Sequence, residues 1–413
     1  MFKNVNGNNQ KQLRHCMIVH AIYPLGETRV QREAEALVKR GYDVDVICLR
    51  NPGSLAVDSY KDVKIYRENY RSLIKFVKKD GLLEQFLKYI NFFFSATFRL
   101  IQLNITSRYD SIQVHNLPDF LVFCAIIPKL QKIPIILDLH DLMPEFYSSR
   151  FRNNRSLLAG LIRLQERLAC RFSDHVITVS EHWRQALIQR GVPDEKCSVV
   201  MNVADDSIFH PSDKVFLQNQ DENNFRLIYH GAIVERYGLD LIINAINLVK
   251  SDIPGIHLTL VGYGDFLPQM LALVKKHRLD RYVTFMDSIL AEELPKVIKT
   301  CHVGVVPYRK NIFTDGLLPT KLMEYTALGM PAIASRTTAV EAYFSKANTE
   351  FFEPGNVNEL ARCILMLYRN PDRMVELAQG SMKFNQLYNW TKISENYVNL
   401  VARLGSGDSL TEV

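Results

Sequence analysis

The first half of the chain alternates between two hydrophobic periods. Short apolar runs typical of buried strands are separated by segments whose apolar residues recur every three or four positions, as on one face of a helix. The strand-like runs are "HCMIVHAIYP", "YDVDVICLR", "SIQVHN", "IPIILDLH" and "HVITVS". The helix-like segments are "RVQREAEALVKRG", "DFLVFCAIIPKLQ", "SLLAGLIRLQERLACRFS" and "EHWRQALIQRGV". This alternation predicts a parallel sheet with helices on both faces.

The alternation stops at residues 209–224, "FHPSDKVFLQNQDENN", and then restarts. This stretch is polar and has no clear period, so we expect an interdomain linker. The strand-like runs that follow are "FRLIYHG", "GIHLTLVGYG", "VTFMDS", "VGVVPY" and "PAIASR". The helix-like segments between and after them are "LDLIINAINLVKS", "FLPQMLALVKKHRL", "ELPKVIKTC", "TKLMEYTALG" and "VNELARCILMLYRN". The chain is therefore predicted to be an α/β protein with two doubly wound parallel-sheet domains in tandem.

The length of 413 residues agrees with two domains of roughly 200 residues each. We expect a polar N-terminal tail, a first domain, the linker, a second domain, a C-terminal helix able to pack back on the first domain, and a flexible tail. Their expected ranges are 1–14, 15–208, 209–224, 225–385, 386–404 and 405–413.

Composition and charge narrow the class of protein. Hydrophobic residues make up 47% and charged residues 23%, as in globular proteins. The sequence has no apolar run long enough to span a bilayer and no secretory signal, so a cytoplasmic location is expected. Its seven cysteines form no C-x-x-C pair and are expected to be reduced core residues. The net charge of +6 comes without a basic block, so no nucleic-acid partner is expected.

Several predicted strands end in polar residues or glycines. These residues are His115, Asn116, His140 and Asp141 in the first half, and Gly231, Gly262 and Gly264 in the second half. Ligands of doubly wound sheets bind beyond the carboxyl ends of the strands. We therefore expect a cleft between two facing domains, lined by these strand ends.

Two helix starts in the second half predict a phosphate site. "ERYGLD" places Arg236 just before a glycine turn and a helix, and "LLPTKLMEYTALG" places Thr320 and Lys321 at the start of another helix. A helix N-terminus next to a cationic side chain binds phosphate. Glu324, one turn further, can accept two hydrogen bonds from a ribose diol. Together these residues predict a nucleoside diphosphate site.

Other chemistries fit the sequence less well. "YPLGETR" has a single glycine, and "VGYGDFL" lacks the third glycine of the nicotinamide-dinucleotide fingerprint. The sequence contains no G-x-S-x-G motif for a nucleophilic serine. His140 and Asp141 are neighbours at a strand end, where side chains alternate in direction, so they are a weak metal-binding pair. We expect neither a metal nor another cofactor.

The ordered set of motifs resembles glycosyltransferase family 4, whose members have the GT-B fold. The similarity runs from about His15 to about Tyr397. The matching blocks include "VHNLPDFL", "ILDLHDLMPEFY", "VITVSEHWRQALIQRGVPDEKCSVVMN", "IYHGAIVERYGLDLIINAI", "LTLVGYGD" and "LPTKLMEYTALGMPAIAS". The resemblance implies a first, acceptor-side Rossmann-like domain and a second one that binds the donor. It also implies retaining transfer of a sugar from a nucleotide sugar, with a UDP-sugar expected, to a glycan or lipid-linked acceptor.

The resemblance also implies roles for individual residues. Glu324 would bind the donor ribose, and Arg236 and Lys321 would bind the diphosphate. His140 would lie close to the donor sugar. The leaving diphosphate would help to deprotonate the acceptor, and charge stabilisation at this leaving group would supply most of the catalysis.

The sequence departs from the family pattern at two positions. Ala232 stands where many relatives carry Arg, so phosphate binding would depend more on Arg236 and Lys321. Gly316 stands where many relatives carry the first glutamate of E-x7-E, and Asp315 is the nearest acid that could replace it in a catalytic role.

Several alternatives remain open at this stage. Gly26, in the first strand-to-helix loop, belongs either to the acceptor side of the cleft or only to a turn, and His115, Asn116 and Asp141 either line the cleft or only end a strand. Residues 86–103 form either a buried helix or, with basic residues from position 71 onward, a surface for an anionic membrane. Instead of a transferase, the chain could be a nucleotide-sugar epimerase or a non-catalytic scaffold that binds sugar nucleotides.

Overall fold

A computed structural model of the chain describes residues 12–24, 27–69, 82–150, 157–211 and 224–406. The chain divides into two compact units, of which the first holds the residues up to Val200 together with those from Ser394 onward. The second unit is Met201–Ile393. The division thus falls inside the predicted first domain and inside the predicted C-terminal helix. Most of the predicted linker and tails, at 1–11, 212–223 and 407–413, lies outside the described residues.

The first unit is built on an eight-stranded sheet. Its strands are β1 (Arg14–Ile22), β2 (Asp43–Leu49), β3 (Val57–Tyr60), β4 (Val63–Glu68), β5 (Ser111–His115), β6 (Ile135–Leu139), β7 (His175–Thr178) and β8 (Cys197–Val199). They lie in the order β3-β4-β2-β1-β5-β6-β7-β8. The pairs in this sheet are parallel except β3–β4, which is antiparallel. All residues of β5, β6 and β7 are buried, and these include the polar side chains of Gln113, His115 and Asp138.

Helices connect these strands. They are α1 (Thr28–Lys39), α2 (Leu82–Thr106), α3 (Ile126–Leu130), α4 (Met143–Arg150), α5 (Leu157–Phe172) and α6 (Glu181–Gln189), with 3-10 turns at Asp119–Ala125 and Asp194–Lys196. The segment predicted as one helix, residues 119–131, is a 3-10 turn followed by the short α3. Pro128 lacks a backbone N–H and is tolerated only in the first turn of a helix, which favours a new helix start there.

The second unit is built on a six-stranded parallel sheet. Its strands are β9 (Phe225–His230), β10 (Ile256–Val261), β11 (Val283–Met286), β12 (Val303–Val306), β13 (Ala332–Ser335) and β14 (Glu350–Phe352). Their order is β11-β10-β9-β12-β13-β14. Its helices are α7 (Leu239–Val249), α8 (Leu267–His277), α9 (Leu294–Ile298), α10 (Thr320–Ala327), α11 (Thr338–Tyr343), α12 (Val357–Arg369) and α13 (Pro371–Leu387). A 3-10 turn, Glu235–Tyr237, precedes α7. The predicted class, two doubly wound parallel-sheet units with helices, is confirmed.

The last helix, α14 (Trp390–Ser406), belongs largely to the first unit. Its residues Tyr397, Leu400 and Val401 are buried. The Tyr397 hydroxyl donates a hydrogen bond of 2.7 Å to the side-chain oxygen of Gln113 on β5. The start of α14 is fixed differently, because the backbone N–H of Thr391 donates to the carboxylate of Asp206 at 2.9 Å.

Residues 86–103, for which the sequence left two interpretations open, lie in α2, which is buried on one face and exposed on another. Phe92, Ala96 and Leu100 are buried, whereas Phe94 and Phe98 are 66% and 65% exposed. One face of α2 therefore belongs to the core of the first unit. Residues 70–81, which include most of the basic residues of the predicted membrane surface, lie outside the described residues.

None of the helices in the described ranges combines the length and the hydropathy needed to cross a bilayer. The seven cysteines are all buried and free, as the sequence predicts.

Candidate active site

In the first unit, His140 follows directly after β6 and shares its side of the sheet with Asp138, two residues earlier. His140 Nε2 lies 3.3 Å from Asp138 Oδ2. The Nδ1 atom of His115 lies 3.1 Å from this same carboxylate oxygen and 3.1 Å from His140 Nε2. His115 and Asp138 are register partners on β5 and β6, so the pairing of the two strands brings these groups together.

Asp138 is fixed by a buried polar network. The guanidinium of Arg29, on α1, donates to both of its oxygens, from Nε at 3.0 Å and from Nη2 at 3.1 Å. Arg29 also forms an ion pair of 3.1 Å with Glu33. Gln113 Nε2 donates to Glu33 at 2.7 Å and lies 3.3 Å from Asp138 Oδ2, and Tyr397 donates to Gln113 from the other side. The carboxylate below His140 is therefore held by α1, β5 and α14.

The network sets the charge of the two histidines differently. Burial disfavours the charged form of His140, but the carboxylate of Asp138 outweighs burial and raises the pKa of His140 above its ordinary value. Burial dominates at His115 and lowers its pKa to about 4. Arg29 and His140 hold the pKa of Asp138 well below its usual range, despite its burial. His140 can thus carry a positive charge next to an ionised carboxylate, while His115 is neutral at physiological pH.

Asn116 orders the main chain around His140. Its side-chain oxygen accepts from the backbone N–H of His140 at 2.9 Å, and its Nδ2 donates to the carbonyl of Asp141 at 2.6 Å. Asn116 also donates to Asp119, whose pKa is raised to about 7 by burial. The structure therefore brings His115, Asn116 and Asp141 to the strand ends around His140. Gly26 lies outside the described residues.

One group in the described ranges has the composition of a metal site. The ligand atoms of His115, Asp138 and His140 lie within 4.8 Å of one another. The guanidinium of Arg29 donates a hydrogen bond of 3.0 Å to the carboxylate of Asp138, and its positive charge disfavours a metal ion at the same oxygen. The absence of a metal requirement stays a prediction.

In the second unit, Lys321 lies in a cage of three tyrosines. Its Nζ is 5.0 Å, 5.1 Å and 4.9 Å from the ring centroids of Tyr229, Tyr237 and Tyr308. The ammonium also donates to the hydroxyl of Tyr308 at 2.7 Å. The rings of Tyr237 and Tyr308 are stacked, with centroids 4.3 Å apart. Aromatic faces attract a cation, so the cage fixes the ammonium and partly offsets its loss of hydration.

The cage lies at the start of α10 and at the end of β9. Lys321 is the second residue of α10, and a side chain on Gly231 would meet its Cε and Nζ at 3.4 and 3.5 Å. Burial lowers the pKa of Lys321 to about 8. Arg236 lies over the ring of Tyr237 at 5.1 Å, so both predicted phosphate-binding cations flank this ring. Within the described part of the chain, the buried Nε of Arg236 has no hydrogen-bond partner.

Glu324 lies one turn into α10, next to the end of β9. Its Oε2 is 3.2 Å from Nε2 of His230, and its side chain is 20% exposed. Burial lowers the pKa of His230 to about 3, so this imidazole is neutral. Thr320, the first residue of α10, is exposed. The sequence-predicted residues Gly231, Arg236, Thr320, Lys321 and Glu324 thus lie around one helix start and one strand end.

Gly262 and Gly264 allow close backbone packing beside this group. A Cβ atom on Gly262 would lie 2.1 Å from the carbonyl oxygen of Gly231, and one on Gly264 would lie 2.1 Å from that of Ile233. Gly262 also has φ +143°, a conformation that other residues rarely adopt. Their predicted donor contact stays a prediction.

Asp315 has a structural partner. Its carboxylate accepts hydrogen bonds from the backbone N–H of Thr338 at 2.8 Å and from the Thr338 hydroxyl at 2.9 Å. Burial opposes ionisation, but the hydrogen bonds from Thr338 and the nearby Lys310 lower the pKa of Asp315 overall. This carboxylate therefore stabilises the start of α11, and its catalytic role stays a prediction.

Sequence reasoning missed the residues that hold His140 and Lys321. Asp138 had a usable signal, because residues two apart on a strand share a face. No sequence signal indicated the tyrosine cage, because Tyr229, Tyr237 and Tyr308 come from three separate segments. Arg29, Gln113 and Tyr397 are likewise joined only by the fold.

The fold agrees with known structures. Sucrose-phosphate synthase from Thermosynechococcus elongatus superposes with a TM-score of 0.78 and 19% identity, over 96% of this chain and 100% of that one. Anabaena HepE, solved in complex with UDP, gives a TM-score of 0.70 and 16% identity, over 94% of this chain and 100% of that one. The two parallel-sheet units are those of a GT-B glycosyltransferase.

Family models give the same assignment from sequence. Residues 26–207 match the model described as Glycosyltransferase Family 4, and residues 224–370 match the one described as Glycosyl transferases group 1. The chain belongs to glycosyltransferase family 4, of the group 1 type. It is also 21% identical to the chitobiosyldiphosphodolichol beta-mannosyltransferase of Debaryomyces hansenii, over 71% of this chain and 68% of that protein.

Proposed function

We propose that the protein transfers a sugar from a nucleoside-diphosphate sugar, and that the second unit binds this donor. The observation that carries the proposal is the group of Arg236, Lys321 and Glu324 around the start of α10. The two cations and the helix N-terminus suit a diphosphate. Glu324, with its partly exposed carboxylate, suits the two hydroxyls of a ribose.

We propose further that His140 acts on the donor sugar. A charged imidazole held beside Asp138 can donate a hydrogen bond to a sugar hydroxyl, or stabilise negative charge as the glycosidic bond breaks. The leaving diphosphate would help to deprotonate the acceptor on the same face of the sugar, so that the anomeric configuration is retained. This reaction needs no metal, because Arg236 and Lys321 supply positive charge at the leaving group.

A UDP-sugar is the first candidate donor. The Anabaena protein HepE, whose fold this chain shares, was solved with UDP. A mannosyl donor is the second candidate, because the similar protein from Debaryomyces hansenii is a beta-mannosyltransferase. The acceptor is proposed to be a glycan or a lipid-linked sugar, as that relative's name, with its diphosphodolichol acceptor, suggests.

A ligand screen with one variant pair tests the proposal. UDP-sugars and GDP-mannose are tested for thermal stabilisation of the protein, and the best donor is then titrated by calorimetry. Glu324→Ala should lower nucleotide affinity by about 10- to 150-fold, since a hydrogen bond to a charged group contributes roughly 1.5–3 kcal/mol. Glu341→Ala, which removes another carboxylate of the second unit, is the control and should bind as the wild type does.

The same experiment separates the alternative functions. Turnover that requires an acceptor supports the transferase, whereas conversion of the nucleotide sugar without acceptor would indicate an epimerase. Tight nucleotide binding without turnover on any donor would indicate a scaffold. An unchanged nucleotide affinity in Glu324→Ala would contradict the ribose assignment.

A further inference from the structure

α5 presents an unusual outer face. Its exposed positions hold only three kinds of residue, namely Leu, Gly and Arg: Leu157, Leu158, Gly160, Leu161, Arg163, Leu164, Arg167, Leu168 and Arg171. The leucines are far from buried, since Leu157 is 92%, Leu161 60% and Leu164 51% exposed. Soluble proteins rarely expose a contiguous apolar patch of this kind without a function for it.

The leucines and arginines form two parallel stripes. Leu157, Leu161, Leu164 and Leu168 recur at the spacing of one helix face, and together they cover a length of about 16 Å. Arg163, Arg167 and Arg171 follow at intervals of four residues along one flank of that face. The opposite side of α5 is packed into the first unit through Ala159, Ile162 and Ala169. The two stripes therefore point away from the core.

In the part of the chain that the structure describes, the arginines on this flank make no direct contact with an acid, although Arg163 interacts electrostatically with the buried Glu166. Within the described ranges, the guanidinium groups of Arg163, Arg167 and Arg171 form no hydrogen bond and no ion pair. The acid of α5, Glu166, is buried and bound by Arg190 at 2.9 Å.

α2, another helix with exposed apolar residues, differs in charge. Its cations are paired, Lys88 with Glu84 at 2.9 Å and Arg99 with Glu68 at 2.7 Å. The two helices thus expose similar apolar side chains. In the described ranges, the exposed arginines of α5 form no ion pair, whereas the cations of α2 do.

The chemistry of this face defines its complement. Its exposed side chains offer hydrogen-bond donors and no acceptor, so the partner must combine an apolar phase with anionic acceptors. A pocket of about 260 Å³ next to the stripe is lined by Arg167, Arg171 and Lys196, and also by the ion pair of Arg190 with Glu166. The cations outnumber the single carboxylate, so the charge of the lining favours an anionic group. A protein–protein interface typically carries about ten direct hydrogen bonds, and this face could contribute to them only as a donor. A lipid bilayer offers acyl chains for the leucines and a layer of anionic phosphates for the arginines, and it therefore matches this face.

We propose that the outer face of α5 docks on an anionic lipid bilayer, with its leucines in the acyl boundary and its arginines among the phosphates. The proposal goes beyond the transfer reaction and does not depend on it. It places the contact on residues 157–171, apart from the segment that the sequence suggested for a membrane surface.

Vesicle binding of the full chain tests the proposal. The protein should co-sediment with vesicles of phosphatidylcholine mixed with phosphatidylglycerol, and much less with vesicles of phosphatidylcholine alone. Binding should weaken as salt is raised, since the arginines act through screened charge.

Variants assign the contact to α5. Replacement of Arg163, Arg167 and Arg171 by Gln should lower the partition coefficient by about 100-fold, as expected for three basic residues at an anionic surface. Leu161→Ser with Leu164→Ser should lower it by at least about tenfold. The matched control, Phe94→Ser with Phe98→Ser on α2, removes similarly exposed apolar groups and should have the smaller effect. All these side chains are exposed, so melting temperatures should stay close to that of the wild type.

Three results would overturn the proposal. The first is the absence of binding to anionic vesicles, and the second is binding by the α5 variants that equals that of the wild type. The third is self-association of the wild type, measured by light scattering, that disappears in the leucine variant while vesicle binding persists. That result would assign the face to a second copy of this chain. Each readout is independent of turnover, so a failure here is distinct from a failure of the proposed reaction.

Discussion

His140 is held among groups that act on its charge in opposite directions. Burial and the guanidinium of Arg29 favour the neutral imidazole, and Asp138 favours the imidazolium. The outcome, a raised pKa, requires that Asp138 itself stays ionised, which Arg29 ensures by donating to both carboxylate oxygens. The residue that we propose to act on the donor sugar and the residue that sets its charge are therefore different.

We predict that His140→Ala lowers turnover by about 100-fold or more, within the range of a positioned catalytic group. Nucleotide affinity should be nearly unchanged, because an interaction made mainly in the transition state contributes little to ground-state binding. Steady-state kinetics, calorimetry with UDP and the melting temperature are measured on the same variant.

The exposed His210 supplies the control, and His210→Ala should have wild-type activity. If His140 has only a structural role, its variant would instead melt earlier and keep its turnover per folded molecule. Full activity in a well-folded His140→Ala protein would rule out the catalytic role.

The tyrosine cage predicts a pH dependence of nucleotide binding. The pKa of Lys321 is lowered to about 8, so its ammonium is present below this pH and is lost as the pH rises through it. A bound diphosphate favours the charged form. UDP affinity should therefore be highest below pH 8 and fall above it, with uptake of a proton on binding near pH 8. Calorimetry in two buffers of different ionisation enthalpy measures both effects.

Lys321→Arg provides the matched variant. Arginine stays protonated over this range, so the decline in affinity between pH 7 and pH 9 should flatten even if overall affinity changes. A variant that keeps the wild-type decline would show that another group titrates.

At the residue scale, the sequence predicted grouped positions where the neighbours along the chain indicate a helix start or a glycine turn. Lys321 and Glu324 were found because both lie at one helix start, and Arg236 because it precedes a glycine turn. Tyr308 was not found, because it meets Lys321 and the other two tyrosines only in the folded chain. Asp138 was missed although it lies two residues before His140, on the same face of the strand. Many relatives carry an arginine where this chain has Ala232. That difference did not indicate that three tyrosine rings surround Lys321.

At the element scale, the ends of β9 and β10 are joined by backbone packing that only glycine permits. We predict that Gly262→Ala destabilises the second unit by at least about 2 kcal/mol, because a methyl group would overlap the carbonyl of Gly231 and the backbone has φ +143°. Differential scanning calorimetry should show an earlier transition for this variant.

Gly160→Ala is the comparison at a helical position. Gly160 lies within α5, and a methyl group added there would meet open space, with no atom within 4 Å. Alanine should stabilise the helix by about 0.5–1 kcal/mol and raise the transition of the first unit. A lower transition temperature for Gly160→Ala would contradict the expectation that the added methyl group meets no other atom.

Elements were predictable where burial shaped their sequence. The central strands β5, β6, β9 and β12 are nearly fully buried and appear as apolar runs. β3 was missed because all four of its residues are exposed, so its sequence has no apolar pattern. The short β8 and β14 have only three residues each, too few to show a period.

At the scale of the whole molecule, we predict that activity survives chelation. Arg236 and Lys321 supply positive charge next to the proposed diphosphate, so EDTA should leave turnover unchanged. The control is the same assay after added Mn²⁺. Loss of turnover in EDTA with recovery in Mn²⁺ would show that a metal is required, and His115, Asp138 and His140 would then be the first ligands to test.

The path of the chain between its two units has a consequence for biosynthesis. The second unit is contiguous, whereas the first is completed only by residues from Ser394 onward. A ribosome synthesises these residues only after the second unit, so the sheet of the first unit emerges long before Tyr397 reaches Gln113. The hydrogen bond from Tyr397 that supports the network below His140 is thus made only after the second unit has been synthesised. A chain that stops short of α14 would carry Arg236, Lys321 and Glu324 without the complete network around His140.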